Sequence, residues 1–109
     1  MTQPHHDVHA ELTADQLVRL TALQMAERLR AGTTTAVELV QAHLDRIAAF
    51  DGDPRADAAS DRGVRAFLHV NAEEALADAA EVDRIRAAGG TEAESLHPLA
   101  GVPVAVKDN

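Results

Sequence analysis

The stretch LAGVPVAVKDN, residues 99–109, decides how this chain is interpreted, because it joins a short apolar run to the only lysine of the sequence. Every other permanently cationic side chain is an arginine. An arginine does not lose its proton in a protein, whereas a lysine in an apolar pocket does, and a neutral amine is a usable general base. Lys107 is therefore the candidate catalytic residue. The alternative is a solvated lysine just beyond a strand, which residue statistics alone favour.

Two apolar segments are predicted to be strands. Residues 102–106 are the longest uninterrupted apolar run, and Pro103, which lacks an amide proton, places this strand at a sheet edge or at a bulge. Residues 64–70 alternate in a way that also favours a short strand. His69 lies in the second segment without a carboxylate or nucleophile beside it in the sequence. We interpret it as a packing or hydrogen-bonding histidine rather than a catalytic one.

A helix is predicted between these two strands. Asn71 and Glu74 have the spacing of a capping box, and alanine and aliphatic positions continue from there to Gly89 and Gly90, which are expected to stop the helix. A connecting loop is expected over residues 91–98. Strand, helix and strand in this order are typical of a right-handed crossover onto a parallel sheet. The expected fold class is therefore α/β, with a β-α-β unit.

Two further capping signals predict a helical hairpin before that unit. Thr21 with Gln24, and Thr35 with Glu38, have the spacing in which a threonine side chain caps a helix and a longer polar side chain returns the bond. Gly32 is suited to end the first of these helices in the left-handed conformation. The apolar stripes of both helices need cover from another part of the fold.

The remaining segments are not expected to carry chemistry. Residues 1–19 are polar and are expected to form a flexible tail for the most part. His5, His6 and His9 lie in this tail, but three imidazoles without a scaffold do not fix a coordination geometry, so no metal site is assigned. Residues 51–63, DGDPRADAASDRG, are predicted to be a surface loop.

Length and composition limit the classes of function. A chain of 109 residues suffices for one small domain, and 46% apolar residues with only 2% aromatic ones predict a thin, alanine-rich core. The net charge of −8 argues against direct nucleic-acid binding by this segment. Without cysteine there are no disulfides or thiolate metal sites. We expect a cytoplasmic protein, because no apolar run is long enough to cross a membrane and the sequence does not open with a signal-peptide pattern.

Residues 97–109 closely resemble the motif that carries the catalytic lysine in the amidase signature family. VRAFLHVNAEEALADAAEVD (64–83) and TAVELVQAHLDRI (35–47) are similar to the segments that lead into this motif. The similarity is greatest to the A subunits of glutamyl-tRNA(Gln) and aspartyl-tRNA(Asn) amidotransferases. Apart from an insert at residues 53–63, it covers residues 20–109. It implies that these form the amino-terminal portion of an α/β/α amidase domain with a mixed sheet, truncated after the lysine motif.

The resemblance also implies a chemistry. In the family's triad of serine, cis-serine and lysine, Lys107 takes a proton through the bridging serine while the other serine attacks an amide carbonyl, which gives an acyl-enzyme and ammonia. Ser60 and Ser95 lie in predicted loops without glycine-rich surroundings, so neither is expected to be the nucleophile. The chain by itself is expected to be inactive.

For an amidotransferase component, the resemblance implies glutamine as the small-molecule substrate and the B and C subunits as partners. ATP and Mg²⁺ are then used by the partner subunit, and no cofactor is bound by this chain. The ammonia serves to convert Glu-tRNA(Gln) to Gln-tRNA(Gln). No direct contact with nucleic acid or membrane is expected for this segment.

Two other functions remain open. A stand-alone amidase acting on small amides needs the same base, so the lysine motif does not separate it from an amidotransferase component. In a non-enzymatic helical adaptor, by contrast, the hairpin of residues 21–49 binds a partner and Lys107 is merely solvated.

Overall fold

The computed structural model describes residues 7–52, 63–64 and 66–107, and within these ranges the chain forms five helices and no strand. The helices are α1 (Ala14–Leu17), α2 (Ala22–Ala31), α3 (Ala36–Phe50), α4 (Ala72–Ala88) and α5 (Gly90–Glu94). None of the helices in this part of the chain is long and apolar enough to span a bilayer.

The two helices predicted before that unit are confirmed as α2 and α3. Thr21 Oγ1 accepts the Gln24 amide at 3.1 Å, and the Gln24 side chain accepts the Thr21 amide at 2.9 Å, which completes the predicted capping box. Gly32 ends α2 in the left-handed conformation, at a φ of 77°. At the start of α3, Thr35 Oγ1 accepts the Glu38 amide at 3.1 Å, so the threonine half of the second box forms.

A carboxylate from α4 completes the start of α3. Asp83 Oδ1 accepts the Ala36 amide at 2.7 Å, and Asp83 Oδ2 accepts the Val37 amide at 3.0 Å. The first amides of a helix have no partner inside it, and a negative group is favoured there. Asp83 lies 47 residues from Ala36 in the sequence, so no local pattern indicates this cap.

The core lies mainly among α2, α3 and α4 and is thin, as the composition predicts. Ala36 and Leu39 of α3 are wholly inaccessible to solvent. Three of the eight residues in the buried cluster are alanines, which allows the helices to approach closely. The cluster comprises Leu17, Met25, Leu29, Ala36, Leu39, Val40, Ala42 and Ala79.

The amino-terminal segment, predicted to be a flexible tail for the most part, contains a short helix within its described residues. A capping box between Thr13 and Gln16 starts α1, and Leu17 is buried. A helix of four residues is too short to show the periodicity on which a helix prediction depends. Residues 1–6 lie outside the described ranges.

Arg28 of α2 holds the chain that precedes α1. Arg28 is only 1% exposed. Its Nε donates to Thr34 Oγ1 at 2.9 Å, and its Nη1 and Nη2 donate to the carbonyls of Asp7, at 3.1 Å, and Ala10. A buried cation must be hydrogen-bonded to be tolerated. These bonds therefore satisfy the guanidinium and at the same time fix the start of the described chain on α2.

The predicted β-α-β unit is wrong for the described residues, because residues 64–70 and 102–106 contain no strand wherever their structure is given. The Ala66 and Phe67 amides donate instead to the Asp51 carboxylate, at 2.5 and 3.1 Å. This removes two donors from any sheet ladder. In addition, two strands without further neighbours do not form a stable sheet.

The helix predicted between the two segments is confirmed as α4, but it does not begin with the predicted capping box. The Asn71 side chain makes no cap bond. Its Oδ1 instead contacts His69 Nε2. The backbone at Asn71, with a φ of −88° and a ψ of 64°, differs from the extended conformation that Thr21 and Thr35 adopt at their caps. A capping side chain needs that extended conformation to reach the first-turn amides.

Gly89 ends α4 as predicted, but Gly90 begins α5 rather than a loop. The Ser95 amide and hydroxyl both donate to the Thr91 carbonyl, at 3.0 and 2.8 Å. These bonds close one helical turn inside the expected loop of residues 91–98. A single turn has no sustained period, so the pattern of the sequence does not reveal it.

Candidate active site

Lys107 lines an open cavity of about 590 Å³. The two segments predicted to be neighbouring strands meet around this cavity, although they do not pair as strands. Lys107 itself is exposed. The lining consists of Ala66, Phe67, Leu68, His69, Ala105, Val106 and Lys107. The structure thus brings the predicted base together with His69, and it supplies apolar walls on part of the cavity only.

Several apolar side chains near Lys107 are open to solvent. Leu68 is 75% exposed, Val104 79% and Val106 88%. A lysine acts as a base only while its amine is unprotonated, which requires a largely dry environment. Within the described residues, that environment is incomplete.

A second cavity of about 360 Å³ adjoins the first and shares Phe67, His69, Ala105 and Val106 with it. His43 of α3 also lines this second cavity, and its Nδ1 lies 2.7 Å from the Leu39 carbonyl. A carbonyl only accepts, so the ring donates from Nδ1.

His69 Nε2 contacts Asn71 Oδ1, which agrees with a hydrogen-bonding histidine. Its ring nevertheless lines both cavities, including the one around Lys107. The sequence alone does not reveal that His69 and Lys107 line the same cavity.

Two side chains that the sequence analysis did not single out hold the segments around Lys107. Asp51 is 6% exposed, and its carboxylate fixes the first segment through the Ala66 and Phe67 amides. Arg86 of α4 fixes the approach to the second, because its Nη2 donates to the Ala100 carbonyl at 3.0 Å. Asp51 falls in a stretch predicted to be a surface loop, where a carboxylate is normally solvated, and so its role had no local signal.

The serines and histidines of the predicted loop and tail are not part of this site where they are described. Ser95 Oγ donates within α5. His9 is exposed, and its amide donates to the Asp7 carboxylate at 2.9 Å. Ser60, His5 and His6 lie outside the described ranges. In the part of the chain that the structure covers, no group of three or more His, Cys, Asp or Glu side chains is suited to hold a metal ion.

Comparison with known proteins identifies the family. Residues 38–109 match the amidase family. The chain belongs to the amidase family. Lys107, the cavity around it and both segments that form its walls all lie inside the matched residues. No solved structure matches the chain.

Curated relatives are also similar to most of the chain. The A subunit of the glutamyl-tRNA(Gln) amidotransferase of Paenarthrobacter aurescens is 57% identical over 86% of this chain and 16% of its own length. The proteins of the same name from Renibacterium salmoninarum and Thermobifida fusca are 50% and 47% identical, each over 85% of this chain. The chain spans only 15 to 16% of the length of these relatives.

Proposed function

We propose that this chain is the amino-terminal part of the glutaminase component of a glutamyl-tRNA(Gln) amidotransferase, with Lys107 as its general base. The observation that carries the proposal is the identity of 57% over 94 residues with the A subunit of such an enzyme. The proposal is also supported by the position of Lys107, which lines a cavity between residues 66–69 and residues 105–107. The aspartyl-tRNA(Asn) variant of the reaction uses the same glutaminase step.

In the proposed reaction, one serine attacks the side-chain amide carbonyl of glutamine, and Lys107 takes its proton through a second, bridging serine. A C–O bond forms, the C–N bond breaks, and the proton returns to the leaving nitrogen, so that ammonia departs. Water then hydrolyses the acyl-enzyme to glutamate. Both serines belong to the remainder of the amidase domain, and this chain contributes the base.

The proposed partners follow from this reaction. Ammonia passes to the B subunit, which activates the glutamate on the tRNA with ATP and Mg²⁺, while the C subunit joins the two. The net charge of −8 agrees with a protein that leaves nucleotide and tRNA contacts to its partners.

The remainder of the domain also completes the pocket. Leu68 and Val106 line the cavity around Lys107, and Val104 lies three positions before Lys107 in the sequence; each is at least three quarters exposed. The relatives are about six times longer than the part that this chain matches. We propose that their additional segments pair with residues 66–70 and 102–106, cover these side chains and exclude water from the amine.

The test compares Lys107→Met with the parent protein in the full-length enzyme, assembled with its partner subunits. Ammonia release from glutamine should fall by about 10²- to 10⁴-fold, the usual contribution of a general base. Arg30→Met, which removes an exposed cation from α2, is the matched control and should keep the parent rate. Full glutamine turnover by Lys107→Met would refute the assignment.

The same assay separates the alternatives. A parent protein that hydrolyses small amides without partner subunits, and does not release ammonia from glutamine with them, is a stand-alone amidase. One that hydrolyses neither substrate, with or without partners, supports an adaptor. The 109-residue chain by itself should release no ammonia in any of these assays, because it lacks the nucleophile.

A further inference from the structure

The segment that carries Lys107 begins at Ala100, and a side chain of α4 is hydrogen-bonded to the backbone there. Arg86 Nη2 donates to the Ala100 carbonyl at 3.0 Å. The next residue, Gly101, has a φ of +97° and lies so close to α2 and α3 that a Cβ there would stand 3.0 Å from Ala36 Cβ and 3.1 Å from Leu29 Cδ1. The backbone therefore has little freedom at this point.

The same part of α4 also holds the start of α3. Asp83, three residues before Arg86, accepts the Ala36 and Val37 amides. Ala36 is thus bonded by Asp83 through its amide and packed by Gly101 through its side chain. One turn of α4 consequently sets two positions relative to each other: the start of α3 and the start of the lysine-bearing segment.

Arg86 is poorly placed to serve stability alone. Its Nε is buried and has no hydrogen-bond partner among the described residues, and a buried donor without a partner is unfavourable. By contrast, Arg84 on the same helix lies in solvent and bonds to Glu81 at 2.6 and 3.0 Å, which lowers the pKa of that carboxyl from its usual value. The two arginines differ in that only Arg86 contacts the route to Lys107.

We propose that Arg86 is a positioning residue for amide hydrolysis: by holding the Ala100 carbonyl, it fixes where the lysine-bearing segment leaves the helices and hence where the Lys107 amine stands. This inference rests on the proposed function of Lys107. Residues 101–107, when extended, form a lever of about 20 Å. A tilt of about 3° at its base moves the amine by about 1 Å, and a misplacement of that size costs up to about a hundredfold in rate.

The test uses the full-length enzyme with its partners and three variants. Arg86→Met removes the donor at similar length, Arg86→Lys keeps one donor, and Arg84→Met is the matched control on the same helix. We expect Arg86→Met to lower kcat for ammonia release by about tenfold or more, with KM for glutamine changed by less than about twofold. Arg86→Lys should recover part of kcat, and Arg84→Met should equal the parent.

Hydrogen exchange gives a readout that does not depend on activity. The amides of residues 100–102 and 104–107 should exchange faster in Arg86→Met than in Arg84→Met, at a temperature where both variants are fully folded. The proposal is overturned if Arg86→Met keeps the parent kcat, if its loss of kcat only tracks a loss of folded protein, or if exchange at residues 100–107 is unchanged.

Failure of this inference is distinguishable from failure of the proposed function. If Lys107→Met is inactive and Arg86→Met has the parent kcat, then the lysine is the base and Arg86 does not position it. If Lys107→Met has full turnover, the proposed function fails, and the positioning role fails with it even where exchange is altered.

Discussion

At the scale of single residues, the chain is organised by charged side chains that bind backbone groups of distant segments. Arg28 binds two carbonyls before α1, Asp51 binds the amides of Ala66 and Phe67, and Arg86 binds one carbonyl before the lysine-bearing segment. A hydrogen bond to a charged group is worth about 1.5–3 kcal/mol. Such bonds matter here because the core is thin and rich in alanine.

Arg28, the most buried of these three side chains, gives a prediction about stability. Arg28→Met leaves Thr34 Oγ1 and the carbonyls of Asp7 and Ala10 without their donor, so we expect the free energy of unfolding of the 109-residue chain to fall by about 3 kcal/mol. Urea unfolding measures it. Arg30→Met is the control, since Arg30 is exposed on the same helix. Equal unfolding midpoints for the two variants would contradict the role of Arg28.

Alanine substitutions at two glycines with positive φ would distinguish the cost of backbone strain from the cost of steric crowding. Gly32→Ala meets no atom within 4 Å and should cost only the left-handed conformation, about 1 kcal/mol. Gly101→Ala adds close contacts with Ala36 and Leu29 and should cost about 2–4 kcal/mol in total. Urea unfolding of both variants measures the difference in their free energies of unfolding. A Gly101→Ala variant no less stable than Gly32→Ala would show that Gly101 is not closely packed against Ala36 and Leu29.

At the scale of elements, α3 is placed by acidic residues at both of its ends. Asp83 caps its first turn from α4. Asp51 follows its last residue. The Asp51 amide donates to the Ile47 carbonyl at 2.8 Å, while the Asp51 side chain accepts the Ala66 amide. The helix is therefore fixed both to α4 and to one wall of the cavity around Lys107.

The contact between α3 and α4 gives the prediction at this scale. Asp83→Asn keeps the shape of the side chain but removes its charge and one acceptor, so it should destabilise the chain by about 1–2 kcal/mol. Asp78→Asn removes the same charge from an exposed site on α4 and should change stability by less than about 0.5 kcal/mol. If both variants unfold at the same urea concentration, the cap contributes nothing measurable.

At the scale of the whole molecule, the helices cover one another, whereas the segments around Lys107 leave apolar surface open. Val104 and Val106 are 79% and 88% exposed. Exposed apolar side chains that lie together are typical of surfaces that bind another protein segment or a ligand. The low coverage of the relatives agrees with this view, because the matched part is only 15 to 16% of their length.

This surface is testable in the chain as it stands. The 109-residue chain should bind a hydrophobic dye, and Val104→Gln with Val106→Gln should reduce the dye fluorescence without lowering the urea midpoint, because neither valine is buried. Val64→Gln is the control, since Val64 is also exposed, at 76%, but lines neither cavity beside Lys107. The full-length protein should bind little dye. An equal reduction by Val64→Gln would count against a specific surface around the lysine.

The sequence by itself determined the local features: the caps at Thr21 and Thr35, the helix end at Gly32 and the lysine motif that indicated the family. Each depends on a few consecutive residues, so a pattern is enough to predict it. The tertiary structure alone decided the cap by Asp83, the anchor by Arg86 and the absence of paired strands in the described residues. These depend on bonds that join residues 14 to 47 positions apart, and such pairs become neighbours only when the helices pack.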